Sequence, residues 1–126
     1  MFFIDTHAHL YLNAFDNDID DVIQRALDHN VKKVLLPNID SGTIDPMIKL
    51  SEKYPGICYP MIGIHPTSVK SNADIEFNTI KNELKTNHKK YIAIGEIGID
   101  LYHDRTYIYK QKDIFRAQIN LAIKYN

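Results

Sequence analysis

The sequence predicts an α/β fold built from parallel (β/α) units, the first four of a (β/α)8 barrel of the TIM type. Three observations carry that reading. Four short apolar runs alternate with four runs at helical spacing. The third apolar run is almost unbroken, as in a strand covered on both faces. The residues able to do chemistry come directly after the apolar runs, at the carboxyl edge where parallel sheets carry their sites. Right-handed crossovers set successive strands side by side.

The first strand is expected over residues 2–6. The helix after it covers 18–29, where Ile19, Val22, Ile23, Ala26 and Leu27 form one apolar stripe. Asp16, Asp18, Asp20 and Asp21 cluster at its start, where the helix dipole favours anions. The second strand is expected over 33–37 and its helix over 43–53. Pro46 suits the first turn of that helix, and Tyr54-Pro55-Gly56 closes it. A third strand over 57–64 leads to a helix over 74–86 with Ile80 and Leu84 on one face. The fourth strand covers 91–95. The last helix, 110–125, has apolar residues on more than one side (Ile114, Phe115, Ile119, Leu121, Ala122), so burial on several faces is expected.

No linker or internal repeat divides residues 1–126, which implies one domain. Nothing near Asn126 looks like a domain end, and a four-stranded sheet alone leaves its outer strands unpaired. The expectation is therefore the N-terminal half of a longer chain. The rival is a half barrel that self-associates through its free edges.

A composition of 44% hydrophobic and 25% charged residues belongs to a folded globular chain. The net charge of −1 gives no bulk electrostatic reason for nucleic-acid binding, so any such contact must be local. A single cysteine, Cys58, rules out an internal disulfide and sits in an apolar run as a core filler. No run is apolar enough to span a membrane. The start, Met1 to Asp5, lacks a basic n-region, which makes the cytoplasm the expected compartment.

Three constellations carry chemistry. His7 and His9 stand at i and i+2, so in extended backbone both imidazoles face one point and can share a metal ion. Imidazole suits zinc, manganese, iron or nickel. Glu96 follows the fourth strand within Gly95-Glu96-Ile97-Gly98, where an unpaired carboxylate is costly to bury and a cation satisfies it. A strand-end acid facing water is the plainer reading. Gly95 and Gly98 allow close backbone approach or a sharp turn. Asp100 is either an acceptor orienting a histidine or a turn residue. His65, with Pro66 stopping its strand, reads as a ligand for phosphate or metal, or as a strand cap.

The other histidines fit less well. His29 and His88 precede strands and belong to the opposite face, and His103 is a loop residue. Lys32, Lys33, Lys89 and Lys90 also precede strands. Arg105 and Lys110 are the cations best placed for phosphate. There is no P-loop, dinucleotide fingerprint or Gly-x-Ser-x-Gly turn.

Phe3-Ile4-Asp5-Thr6-His7-Ala8-His9-Leu10, Gly63-Ile64-His65-Pro66 and Gly95-Glu96-Ile97-Gly98-Ile99-Asp100 together resemble, in order and spacing, the signature segments of the TatD family. That resemblance implies a (β/α)8 barrel with metal-dependent phosphodiesterase activity on DNA, often 3′ to 5′ exonucleolytic. By resemblance His7 and His9 hold one divalent ion, and Glu96 bridges two (zinc, magnesium or manganese). His65 lies near the substrate phosphate, and Asp100 and Tyr102 belong to the wall of the site. The family takes two more histidines and an aspartate from strands in the second half of its barrel. Leu101-Tyr102-His103 stands where many relatives carry an aromatic pair. The implied chemistry is attack by metal-activated water, with two ions able to clamp the attacking and leaving oxygens. The alternatives are a different metal hydrolase on this scaffold, acting on an ester, amide or phosphomonoester, or a non-catalytic half barrel.

Overall fold

The computed structural model describes residues 1–125. Its elements run β1 (Phe3–Asp5), α1 (Ile19–Asp28), β2 (Val31–Pro37), α2 (Ile44–Lys53), β3 (Cys58–Ile62), α3 (Ala73–Asn87), β4 (Ala93–Ile94) and α4 (Ile108–Tyr125). The sheet order is β1-β2-β3-β4, with every neighbouring pair parallel. The sheet curls into a half barrel with the helices between its strands. All eight expected elements are present.

The differences lie at strand ends and have local causes. The ladder of β3 stops at Ile62, short of the expected end at residue 64. Beyond it the Ile64 amide donates to Gln118 Oε1 on α4, and the His65 amide donates to the Ile39 carbonyl. The fourth strand is only two residues long, because an edge strand has one neighbour to pair with.

The pleat sorts side chains between two faces. Val34, Leu36, Cys58 and Ile62 point to the helix layer and are buried. One apolar cluster joins Val34, Leu36 and Cys58 to Tyr11, Ile23, Met47 and Leu50 under α1 and α2. A second gathers Ile62, Ile64, Ile80, Leu84, Ile114 and Leu121 under α3 and α4. The alternate positions Lys33, Leu35, Tyr59 and Met61 are only half-buried on the other face. Cys58 packs in the first cluster; burial pushes its thiol up to about 11, so it stays protonated as a filler.

Helix α4 corrects one expectation. Its buried residues are Gln111, Ile114, Gln118 and Leu121, one stripe rather than several faces. Ile119, Ala122 and Ile123 are exposed. The two glutamines belong to the stripe because they bond the loops beyond β3 and β4.

Helix α2 starts on a reciprocal cap: Asp40 Oδ1 accepts from the Thr43 amide, and Thr43 Oγ1 accepts from the Asp40 amide. Among the described residues no helix is long and apolar enough to cross a membrane.

Candidate metal centre

The site is assembled where the curl of the sheet brings its two outer strands together. After β1, the His7 amide donates to Asp5 Oδ1 at 3.0 Å, turning the chain so that His7 and His9 lie side by side. Their Nε2 atoms are 3.1 Å apart. After β4, backbone bonds carry Glu96 inward. The Gly95 amide donates to the Ile62 carbonyl, the Asn38 amide to the Gly95 carbonyl, and the Glu96 amide to the Asn38 carbonyl, at 2.9, 3.0 and 3.0 Å. Glu96 Oε2 then stands 3.0 Å from His7 Nε2 and 3.4 Å from His9 Nε2.

This crossing needs Gly63. A Cβ there would lie 2.8 Å from both the Glu96 carbonyl oxygen and the Gly95 carbonyl carbon. A Cβ at Gly95 would collide with the movable end of the Met61 side chain, which can swing away. Gly98 is ordinary by comparison, since a Cβ there would sit 3.7 Å from Pro66 Cγ, a normal van der Waals contact. The tight approach expected at Gly95 and Gly98 therefore falls at Gly63 and Gly95.

Glu96 Oε2 is sealed from solvent and has no hydrogen-bond partner despite the two nearby imidazole nitrogens. An orphaned carboxylate oxygen is a costly thing to bury. The three atoms fit the faces of a small cation's coordination shell. At ligand distances of about 2.0–2.1 Å, neighbouring donors are about 2.9 Å apart in an octahedron and about 3.3 Å apart in a tetrahedron. The observed separations of 3.0, 3.1 and 3.4 Å span both values. His7, His9 and Glu96 thus form a cradle suited to a divalent ion. Burial lowers the His9 pKa, as do His7 and His65, against upward pulls from the Glu96 carboxylate and the Pro37 carbonyl. The net effect favours the neutral imidazole, the form that binds metal.

His65 faces the other oxygen, with Nε2 3.2 Å from Glu96 Oε1. Its Nδ1 accepts from the Thr67 amide at 3.1 Å and lies 2.6 Å from Thr67 Oγ1. An amide N–H can only donate, so the ring proton of His65 sits on Nε2. His65 presents a hydrogen-bond donor rather than a free lone pair.

Asp100 builds a turn, and the histidine it meets is His103, which lies outside the cradle. Oδ1 accepts from the Tyr102 and His103 amides, and Oδ2 lies 2.8 Å from His103 Nδ1. The His103 amide and ring hold its carboxyl below the usual range. Neither Asp100 nor Tyr102 belongs to the three-residue cradle, and Tyr102 is 92% exposed. Lys110 is engaged with Asp74 on α3 at 2.6 Å, and Arg105 Nε donates to the Leu101 carbonyl.

Several supporting residues escape a reading of the sequence. Asn38 is fully buried, with its side chain donating to the Gly63 and Asp40 carbonyls and accepting from Thr43 Oγ1. It follows an apolar strand, as His65 and Glu96 do, and that position is its only signal. Gln118 holds the end of β3, and Gln111 Oε1 accepts from the Asp100 amide. Tyr11 touches His9; its signal is the alternation His7, His9, Tyr11.

A curled parallel sheet with a His-His-Glu cluster at its carboxyl edge defines the class: a (β/α) half barrel with a candidate metal site. The family model described as TatD related DNase matches residues 4–126, and the chain belongs to that family. It is 38% identical to YabD of Bacillus subtilis, named an uncharacterized metal-dependent hydrolase, over 97% of this chain and 47% of that protein. It is 32% identical to the human protein named deoxyribonuclease TATDN3, over 98% of this chain and 48% of that one. The crystal structure of YjjV, a TatD homolog from Escherichia coli, matches with a TM-score of 0.88 at 30% identity, covering 98% of this chain and 47% of YjjV. The chain spans about half the length of the relatives it matches.

Proposed function

We propose that this chain is the metal-holding N-terminal half of a TatD-type hydrolase that cleaves DNA phosphodiester bonds with metal-activated water. One observation carries the reading: Glu96 Oε2 is buried and unpartnered at 3.0–3.4 Å from two imidazole nitrogens. His7, His9 and Glu96 would hold one divalent ion and Glu96 would also serve a second, with zinc, magnesium and manganese as the candidates. Bound there, such ions lower the pKa of water toward about 7 and offset charge on the phosphate oxygens. Glu96 would be the catalytic carboxylate, since it would hold the ion beside the reacting centre. His65 offers its Nε2 proton to a substrate phosphate oxygen. Asp100 shapes the wall of the substrate path through the turn it builds, and exposed Tyr102 supplies a face for a nucleotide.

Cleavage is assigned to the complete barrel, whose second half brings two histidines and an aspartate. The test has two parts. Calorimetric titration of this chain with zinc or manganese is expected to show binding that Glu96→Gln and His9→Ala abolish. The chain extended to full barrel length is then expected to cut DNA in a metal-dependent way. Extended protein that cleaves esters, amides or phosphomonoesters but not DNA would replace the nuclease reading with another hydrolase on this scaffold.

A second reading has its own observation. Phe2, Phe3 and Ile4 along β1 are 57%, 57% and 47% exposed, and Ile92 beside β4 is 56% exposed. Such edges favour association of half barrels.

A further inference from the structure

His9 makes a contact that the metal cradle does not use. Its Nδ1 lies 2.8 Å from the Tyr11 hydroxyl. Tyr11 is buried in the cluster of Val34, Met47 and Leu50, so its hydroxyl is held in place. The same hydroxyl donates to the Pro37 carbonyl. A carbonyl can only accept, and a phenol has one proton. With that proton committed to Pro37, the Tyr11 oxygen can only accept from His9. The imidazole proton must therefore sit on Nδ1, which leaves the lone pair on Nε2. Nε2 is the atom that faces His7 Nε2 and Glu96 Oε2.

We propose that Tyr11 is a positioning residue that locks His9 in the one neutral tautomer able to bind a cation through Nε2. The consequence for metal binding rests on the proposed function, whereas the tautomer is a property of the chain itself. The phenol is anchored in the core under α2, so it fixes the orientation of the ring as well as its proton. Asp5, which precedes the pair, bonds the backbone of His7 and leaves its ring alone. The His7 side chain is 52% exposed against 24% for His9. His9 is thus the preorganised ligand of the pair, and His7 the adjustable one. His65 is set the opposite way by the Thr67 amide, so one site holds two histidines of opposite tautomer.

The test is a long-range proton–nitrogen correlation spectrum of the metal-free, histidine-labelled chain at a pH where its imidazoles are neutral. His9 is expected to show a protonated Nδ1 and a bare Nε2. His65 is expected to show the reverse and serves as an internal reference. Tyr11→Phe keeps the ring in the core and removes the acceptor. It is expected to mix the His9 tautomers and weaken zinc or manganese binding about 10- to 100-fold. A His9 protonated at Nε2 in the unaltered chain would overturn the assignment, whether or not the variant folds. An unchanged His9 spectrum in a folded Tyr11→Phe protein would also overturn it. If the unaltered chain shows the expected tautomers but takes up no metal, the Tyr11 assignment stands and the metal-centre reading fails.

Discussion

Asn38 shows how a single residue can decide where the Glu96 carboxylate sits. Its amide nitrogen holds the carbonyls of Asp40 and Gly63, its oxygen accepts from Thr43, and its backbone bonds Gly95 and Glu96. Three loops at the carboxyl edge therefore meet at one buried residue. Alanine there would strand the buried Gly63 carbonyl, while the Thr43 hydroxyl keeps the Asp40 carbonyl as its acceptor. A buried group left without its partner costs on the order of 1–3 kcal/mol, so Asn38→Ala is expected to lower stability by about that much in urea denaturation. A loss under about 1 kcal/mol would mean that water replaces the amide. Glu96 follows the opposite logic. Its Oε2 gains no hydrogen bond from folding, so its burial costs stability rather than adding to it.

At the scale of elements, loops carry the site and helix α4 carries the loops. Gln118 fixes the chain just before His65, and Gln111 fixes Asp100. The segment beyond β4 is then built from two carboxylates. Asp100 accepts from the Tyr102 and His103 amides. Asp104 is held down to about 2 by the Thr106 hydroxyl, the Thr106 amide and Lys70. Both folded-state values lie below the ordinary carboxylate value, so the charged forms favour the folded loop. Their stabilisation is present above the unfolded value near 4 and is lost as pH falls through the folded values. Hydrogen-exchange protection of the Thr106 amide is accordingly expected to fade between about pH 4 and pH 2, and that of the Tyr102 and His103 amides below about pH 4, ahead of the β2–β3 ladder. Loss of both together would show that the loop has no separate titration.

At the scale of the whole molecule, the half barrel is organised around surfaces it does not cover itself. The inner positions Lys33, Leu35, Tyr59 and Met61 are only half-buried, with Lys33 Nζ 5.1 Å from the Tyr59 ring. Phe2, Phe3 and Ile4 line one edge, and Ile119 and Ile123 are exposed on α4. In YjjV, of which this chain matches 47%, a further half of the protein lies beyond the matched region. Without such a cover, analytical ultracentrifugation of the 126-residue chain is expected to give a mass of at least twice 14.6 kDa. Extension to full barrel length is expected to restore the monomer. A stable monomer of the short chain at high concentration would remove the self-association reading.

Much of this is legible in one dimension. Strand and helix periodicity is a local property, so all eight elements can be read from apolar spacing, as with Ile19, Val22, Ile23, Ala26 and Leu27 in α1. The i, i+2 spacing of His7 and His9 predicts that their rings face one point, because alternation in extended backbone is set by covalent geometry, and their Nε2 atoms lie 3.1 Å apart. The position of Glu96 and His65 after strands puts them on the right edge. What the sequence cannot reach depends on distance through space. Only the curl of the sheet brings Glu96, from the opposite outer strand, to 3.0 Å from His7. The close approach at Gly63 rather than Gly98 depends on where two backbones cross. The buried glutamines of α4 look like breaks in an apolar helix until they are paired with their partners, the amides of Ile64 and Asp100. Proton placement is equally non-local. The tautomers of His9 and His65 are decided by a phenol held in the core and by an amide in a turn, and neither constraint exists until the chain has folded.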